Sequence, residues 1–172
     1  MSHKEKDLYQ PVIAALDRSF ASINKDAFIE TAATKGLGEP FKALIPHGRE
    51  IVFRFSNLKP DIVGYVKHSR GNDLFTAEVK RGSPTPRDIY QAKMYRELYG
   101  ATFGFLIVTA PITVEIKRLV ASIPIILMSA GDHTFNFLAI GCFDSDTREF
   151  TDWVTGPFIH IDPFNHLRRL SF

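Results

Sequence analysis

Lys59-Pro60-Asp61-Ile62-Val63-Gly64-Tyr65-Val66 and Leu74-Phe75-Thr76-Ala77-Glu78-Val79-Lys80 are the two runs on which the reading of this chain turns. Both read as strands, and the intervening His68-Ser69-Arg70-Gly71-Asn72-Asp73 supplies the glycine and asparagine expected of a hairpin connection. Strand side chains alternate, so Glu78 and Lys80 share one face while Val79 points to the other. Folding the chain back near Gly71 sets the start of the first strand beside the end of the second. Asp61 then lies across from Glu78 and Lys80, within the tolerance of a bulge. Two carboxylates and an ammonium are thereby expected at one sheet end.

Working outward, Glu5, Leu8, Tyr9, Val12, Ile13, Leu16 and Phe20 recur at three- and four-residue spacing and predict a helix, with Pro11 near its first turn. Thr34 to Gly48 holds three glycines and two prolines and is expected to be irregular. Ile51-Val52-Phe53-Arg54-Phe55 reads as the first of three strands. Beyond Lys80, Thr85-Pro86-Arg87-Asp88 has the order of a capping box with proline at the first helical position, and Gly100 marks the end of that helix. Residues 102–108 form an almost wholly apolar run of the kind buried on both faces of a sheet. Ile116, Leu119, Val120 and Ile123 give a further helix its core stripe, and Ile125-Ile126-Leu127-Met128 reads as another buried strand. Phe135, Phe137 and Ala139 alternate into a strand, with residues 150–154 and 158–161 extending the pairing. The order helix, three strands, helix, strand, helix, strand predicts an α/β fold: a mixed central sheet flanked by helices.

The 172 residues fit one domain. With 45% apolar and 23% charged residues, the composition excludes a disordered chain, a collagen or a coiled coil. The apolar stretches at 103–108 and 135–143 fall short of the ~20 residues that span a bilayer. The charged start, Met1-Ser2-His3-Lys4-Glu5-Lys6, is unlike a secretory signal. A single cysteine, Cys142, rules out an internal disulfide and a four-thiolate zinc cluster. A cytoplasmic protein with no membrane partner is the expectation. The whole chain carries a net charge of +2, but residues 59–96 hold eight basic and four acidic side chains. Such a stretch is compatible with a polyanion, and equally with an ordinary solvated surface.

No phosphate-cradling glycine loop, dinucleotide fingerprint, Gly-x-Ser-x-Gly elbow or His-Glu-x-x-His occurs. His160, Asp162 and His166 come nearest to a metal-like grouping in the tail, without regular ligand spacing. The carboxylates of Asp61 and Glu78 suit Mg²⁺ or Mn²⁺, which keep several waters and accept phosphate oxygens as further ligands. A lysine beside such an ion can orient the attacking water and stabilise developing charge, so phosphodiester hydrolysis fits every group. The competing reading is a surface ion pair between Glu78 and Lys80, with Pro60-Asp61 merely opening a strand. A second Glu-x-Lys, Glu115-Ile116-Lys117, serves as a control: it falls on a helix, where residues two apart face different ways.

Pro60-Asp61 followed by Glu78-Val79-Lys80 resembles the signature of the PD-(D/E)XK phosphodiesterase superfamily, within the αβββαβ order of the restriction-endonuclease-like fold. Gln91-Ala92-Lys93-Met94-Tyr95 is similar to the Gln-xxx-Tyr extension found in a subset of these nucleases. The resemblance covers residues 5–128 and leaves 129–172 as a C-terminal, β-rich extension of a single domain. It implies a nuclease acting on DNA, with Asp61, Glu78 and the Val79 carbonyl on the metal and Lys80 on the attacking water. Gln91 and Tyr95 would support the site, sharing one helix face at four-residue spacing. Glu5 is the acidic residue of the first helix expected to join the metal, the alternative being a solvated carboxylate at the helix start. Arg70, Arg81, Arg87 and Lys93 are expected phosphate contacts. The extension's Phe135, Phe137, Phe143, Phe150, Trp153 and Phe158 are expected as core or subunit interface rather than base-stacking groups. A homodimer or a larger DNA-processing complex is compatible with this size. The rival function is a catalytically inert nucleic-acid-binding or assembly module on the same fold.

Overall fold

The computed structural model describes residues 3–51, 59–69, 71–128, 137–156 and 162–169. Its centre is one six-stranded sheet whose strands lie side by side in chain order. They are β1 (Ala27–Thr31), β2 (Ile62–His68), β3 (Gly71–Lys80), β4 (Phe103–Val108), β5 (Phe137–Asp144) and β6 (Glu149–Val154). β3, β4 and β5 run parallel, and the outer pairings are antiparallel. Helices α1 (His3–Lys6) and α2 (Tyr9–Ser22) precede the sheet, and α3 (Ala32–Lys35) and α4 (Glu39–Lys42) lie between β1 and β2. α5 (Pro86–Tyr99) and α6 (Val114–Ser122) follow β3 and β4, and α7 (Pro163–Arg169) ends the described chain. The class is mixed α/β. Among the described residues no helix is long and apolar enough to cross a membrane.

Among the described residues three buried clusters form: alternation along the central strands builds two cores, and the third gathers around Phe41, Val63, Leu74, Tyr95 and Tyr99. Phe75, Ala77 and Val79 of β3, with Phe103, Phe105 and Ile107 of β4, face Tyr9, Val12, Leu16 and Phe20 of α2. Leu106 and Val108 of β4, with Leu138 and Ile140 of β5, face Ile89 and Ala92 of α5 and Ile116 and Val120 of α6. α2 and α5 therefore lie on opposite faces of the sheet. The aromatic residues of the extension join the first core: Phe137 and Phe143 are buried, and Phe150 and Trp153 are half-buried against it. Phe135 and Phe158 lie outside the described residues. Gly141 pairs across the β5–β6 ladder with Trp153, whose indole lies 2.5–2.9 Å from where a Cβ at position 141 would stand.

α5 forms where its local signals place it. Thr85 Oγ1 accepts from the Asp88 N–H at 3.3 Å, and the Thr85 N–H donates to Asp88 Oδ2 at 2.9 Å. Gly100 ends the helix at φ 63°, a left-handed conformation suited to glycine. Thr85→Ala should lower stability by about 1 kcal/mol, read as a shift in the urea midpoint.

Four expectations need correction. The first helix is broken: in a continuous helix the ring of Pro11 would clash with the Asp7 carbonyl and leave it without its N–H partner, and α1 instead ends at Lys6 and α2 begins at Tyr9. Thr34 to Gly48 is not wholly irregular, since it contains the end of α3 and all of α4. The sheet's first strand is β1, an edge strand whose half-buried residues give little alternation to read. Residues 52–55 of the expected strand lie outside the described residues, while Ile51 sits in a 3₁₀ turn. Ile125-Ile126-Leu127-Met128 is not a strand. Pro124–Leu127 is a 3₁₀ helix started by its proline, which buries Ile126 and Leu127 and leaves Ile125 exposed.

Candidate active site

The β2–β3 register pairs Ile62 with Ala77, so Asp61, one step before β2, stands level with Glu78. That is the juxtaposition expected from the hairpin. Both side chains are withdrawn from solvent, Asp61 at 0% and Glu78 at 2% exposure. Carboxylates at such depth need partners, and each has them. Asp61 Oδ1 accepts from the Tyr9 hydroxyl at 2.5 Å, and Oδ2 accepts from the Val79 N–H at 2.8 Å. The Asp61 backbone is fixed as well, its carbonyl accepting from the Ala32 N–H at 2.9 Å where β1 passes into α3. Glu78 Oε1 accepts from Lys80 Nζ at 2.8 Å and from Gln91 Nε2 at 2.7 Å. Glu78 Oε2 is buried and has no hydrogen-bond partner among the described residues.

The electrostatics follow from this burial. Desolvation raises the Glu78 carboxyl to about 7, and the neighbouring Asp61 charge adds to it, outweighing the Lys80 contact. Asp61 is also raised by burial, against the Tyr9 and Val79 hydrogen bonds that favour its charged form. For Lys80 burial works downward, but the hydrogen bond from Lys80 to Glu78 and the surrounding carboxylates outweigh it, so the ammonium is held above its ordinary value. The ion pair thus favours charge on both partners, yet Glu78 rises because its desolvation is the larger effect. Burial, followed by the Asp61 hydrogen bond, raises the Tyr9 phenol. Tyr9 remains a donor throughout the neutral range.

The other expected residues are placed as follows. Gln91, half-buried on α5, reaches Glu78 directly. Tyr95 is buried among Leu74, Phe41 and Tyr99; burial raises its phenol, against a hydrogen bond from the Gln91 side chain. Glu5 lies half-buried in α1, and its charge contributes to raising Tyr9, Asp61 and Lys80. Val79 contributes its N–H to Asp61 and buries its side chain in the α2-side core. Arg81, next to Lys80 in the chain, is exposed on the connection from β3 into α5, and Arg87 is exposed in the first turn of α5. Lys93 is turned toward the 3₁₀ helix: Nζ donates to the Ile125 carbonyl at 2.7 Å and to the Met128 carbonyl. Arg70 lies outside the described residues, as does His160. Asp162 caps α7 through the Phe164 N–H at 2.8 Å, and His166 stands edge-on to Phe137.

Tyr9 was not expected at the site. On the helical stripe it reads as a core aromatic, and its ring is indeed in the core. Its place four residues after Glu5, at the polar end of that stripe, is the one sequence feature that pointed here.

With both carboxylates ionised, Asp61, Glu78 and Lys80 sum to one negative charge at a buried position, and among the described residues one carboxylate oxygen lacks a donor. A hard divalent cation answers both conditions. Among the described residues no three His, Cys, Asp or Glu side chains cluster as a ligand set. Two carboxylates with water fit Mg²⁺ or Mn²⁺ and not a closed zinc site. Neither a scan against protein-family models nor a search of curated proteins found a match to this chain.

Proposed function

We propose that this chain is a divalent-metal-dependent nuclease of the PD-(D/E)XK type, hydrolysing phosphodiester bonds of DNA on a restriction-endonuclease-like core. The observation that carries the reading is the gathering of Asp61, Glu78 and Lys80 at one sheet end, with Glu78 Oε2 buried and unpartnered among the described residues. The order α2, β1, β2, β3, α5, β4 supports the fold assignment, with β1 to β3 antiparallel and β3 to β4 parallel.

Asp61 and Glu78 would hold Mg²⁺ or Mn²⁺, with the Val79 carbonyl as a further oxygen donor; Glu5 does not gather with these two carboxylates into a ligand set and would act on the site through its charge alone. Such an ion supplies Lewis-acid polarisation of the phosphoryl oxygen and a more acidic water. The chain's own residues do the rest. Lys80, held protonated beside the carboxylates, donates rather than accepts: it orients the attacking water and stabilises charge growing on the phosphoryl oxygens. Gln91 fixes Glu78 Oε1, which would leave Oε2 to hold the ion. Tyr95 packs behind Gln91 and holds its amide in place. Arg81 and Arg87, both exposed, would neutralise backbone phosphates.

Labelled linear, circular, single-stranded and branched DNA incubated with Mg²⁺ or Mn²⁺ tests this. The wild type should cut at least one form, EDTA should stop it, and Lys80→Ala should slow it by about a hundredfold or more. Equal inertness of wild type and variant on all forms would favour an inert binding or assembly module.

A further inference from the structure

We propose that Tyr9 is a positioning residue for the metal site, holding the Asp61 carboxylate in its ligating orientation from the opposite face of the sheet. The inference rests on the nuclease reading and adds to it a group that no motif supplies.

Three observations carry it. First, the contact is direct and enclosed: the Tyr9 hydroxyl donates to Asp61 Oδ1 at 2.5 Å, with Tyr9 at 1% and Asp61 at 0% exposure. A hydrogen bond so enclosed is electrostatically stronger than one in water. Second, the Val79 N–H takes Oδ2 at 2.8 Å. A carboxylate gripped at both oxygens cannot swing about its Cβ–Cγ bond, and each oxygen keeps a second lone pair for a cation. Removing either donor frees the rotation. Third, the phenol ring is anchored by burial, since Tyr9 belongs to the α2-side core together with Val12, Ala77 and Val79. Tyr9 links the two layers: α2 lies on one face of the sheet, while Glu78, Lys80 and Gln91 belong to the other. Outer partners of this kind set ligand orientation and commonly change metal affinity by ten- to a hundredfold.

Tyr9→Phe isolates the effect, since it keeps the ring in the core and deletes only the hydroxyl. Mn²⁺ binding to the full chain, followed by the loss of the free-ion electron paramagnetic resonance signal, should weaken by about tenfold or more. The Mn²⁺ concentration for half-maximal DNA cleavage should rise by the same factor, with the rate recovering at saturating metal. Tyr99→Phe, which removes a buried phenol away from the site, is the control and should retain wild-type Mn²⁺ affinity. A Tyr9→Phe protein that melts earlier yet binds Mn²⁺ as wild type does overturns the proposal and assigns Tyr9 to packing alone. Wild-type protein that binds no Mn²⁺ overturns the metal-nuclease reading, and the role of Tyr9 falls with it.

Discussion

Asp61→Asn is expected to abolish detectable Mn²⁺ binding and to cut DNA cleavage by at least about a thousandfold, while leaving the chain folded. The fold survives because the amide satisfies both of its neighbours. Its oxygen can accept from the Val79 N–H, and its NH₂ can donate to the Tyr9 oxygen once the hydroxyl rotates. The metal does not survive, because the negative charge is gone and the group facing Tyr9 is now a donor. Calorimetric titration with Mn²⁺ and a cleavage assay read the two losses, and circular dichroism checks the fold. Retained cleavage in a folded Asp61→Asn protein would remove Asp61 from the mechanism. Alanine is the poorer test, since it removes the acceptor of the buried Val79 amide hydrogen at a cost of about 1–3 kcal/mol.

The second large effect is on stability against pH. Glu78 has a pKa of about 7 in the folded chain against an ordinary 4.5. Below both values the group is protonated whether the chain is folded or not, and it has no influence. As pH rises between them, the unfolded chain gives up its proton while the folded chain retains it, so stability falls through this window and stays lower above 7. The drop is on the order of 3 kcal/mol, and the upward shift of Asp61 acts in the same direction. Urea unfolding in EDTA from pH 4.5 to 8 should show wild type losing ground relative to Glu78→Gln, which has no proton to lose. Parallel pH curves for the two proteins would refute the assignment. Added Mg²⁺ should restore wild type most at high pH, since a metal ligand must first shed its proton.

How much of this was legible in the sequence depends on the range of the interactions. α5 was readable from end to end because Thr85, Pro86, Asp88 and Gly100 act on their own backbone neighbours. The level placement of Asp61 and Glu78 was readable because a hairpin connects them, and alternation then settles which face Lys80 shares. β1 was not readable, since its pairing partner lies beyond a long connection and its own residues are half-exposed. Ile125-Ile126-Leu127-Met128 misled because an apolar run of four cannot distinguish a strand from a helical turn, and Pro124 decided the matter. Tyr9 was hidden for the same reason as β1: its hydroxyl meets a carboxylate 52 residues away, which no periodicity encodes. Lys93 carries the converse lesson. A cation on a helix beside a candidate site suggests a phosphate, but the carbonyls of the 3₁₀ helix engage it first.

Gly141 and Trp153 are one choice rather than two. The indole lies flat over the place where any larger residue at 141 would project its first carbon, and it sits against Phe105, Phe150 and Phe164. A lineage that enlarged position 141 would have to shrink position 153 in the same step, or reopen the aromatic layer between them. These two sites, twelve positions apart, are therefore coupled in what they can become, independently of any selection on the chemistry at the other side of the sheet.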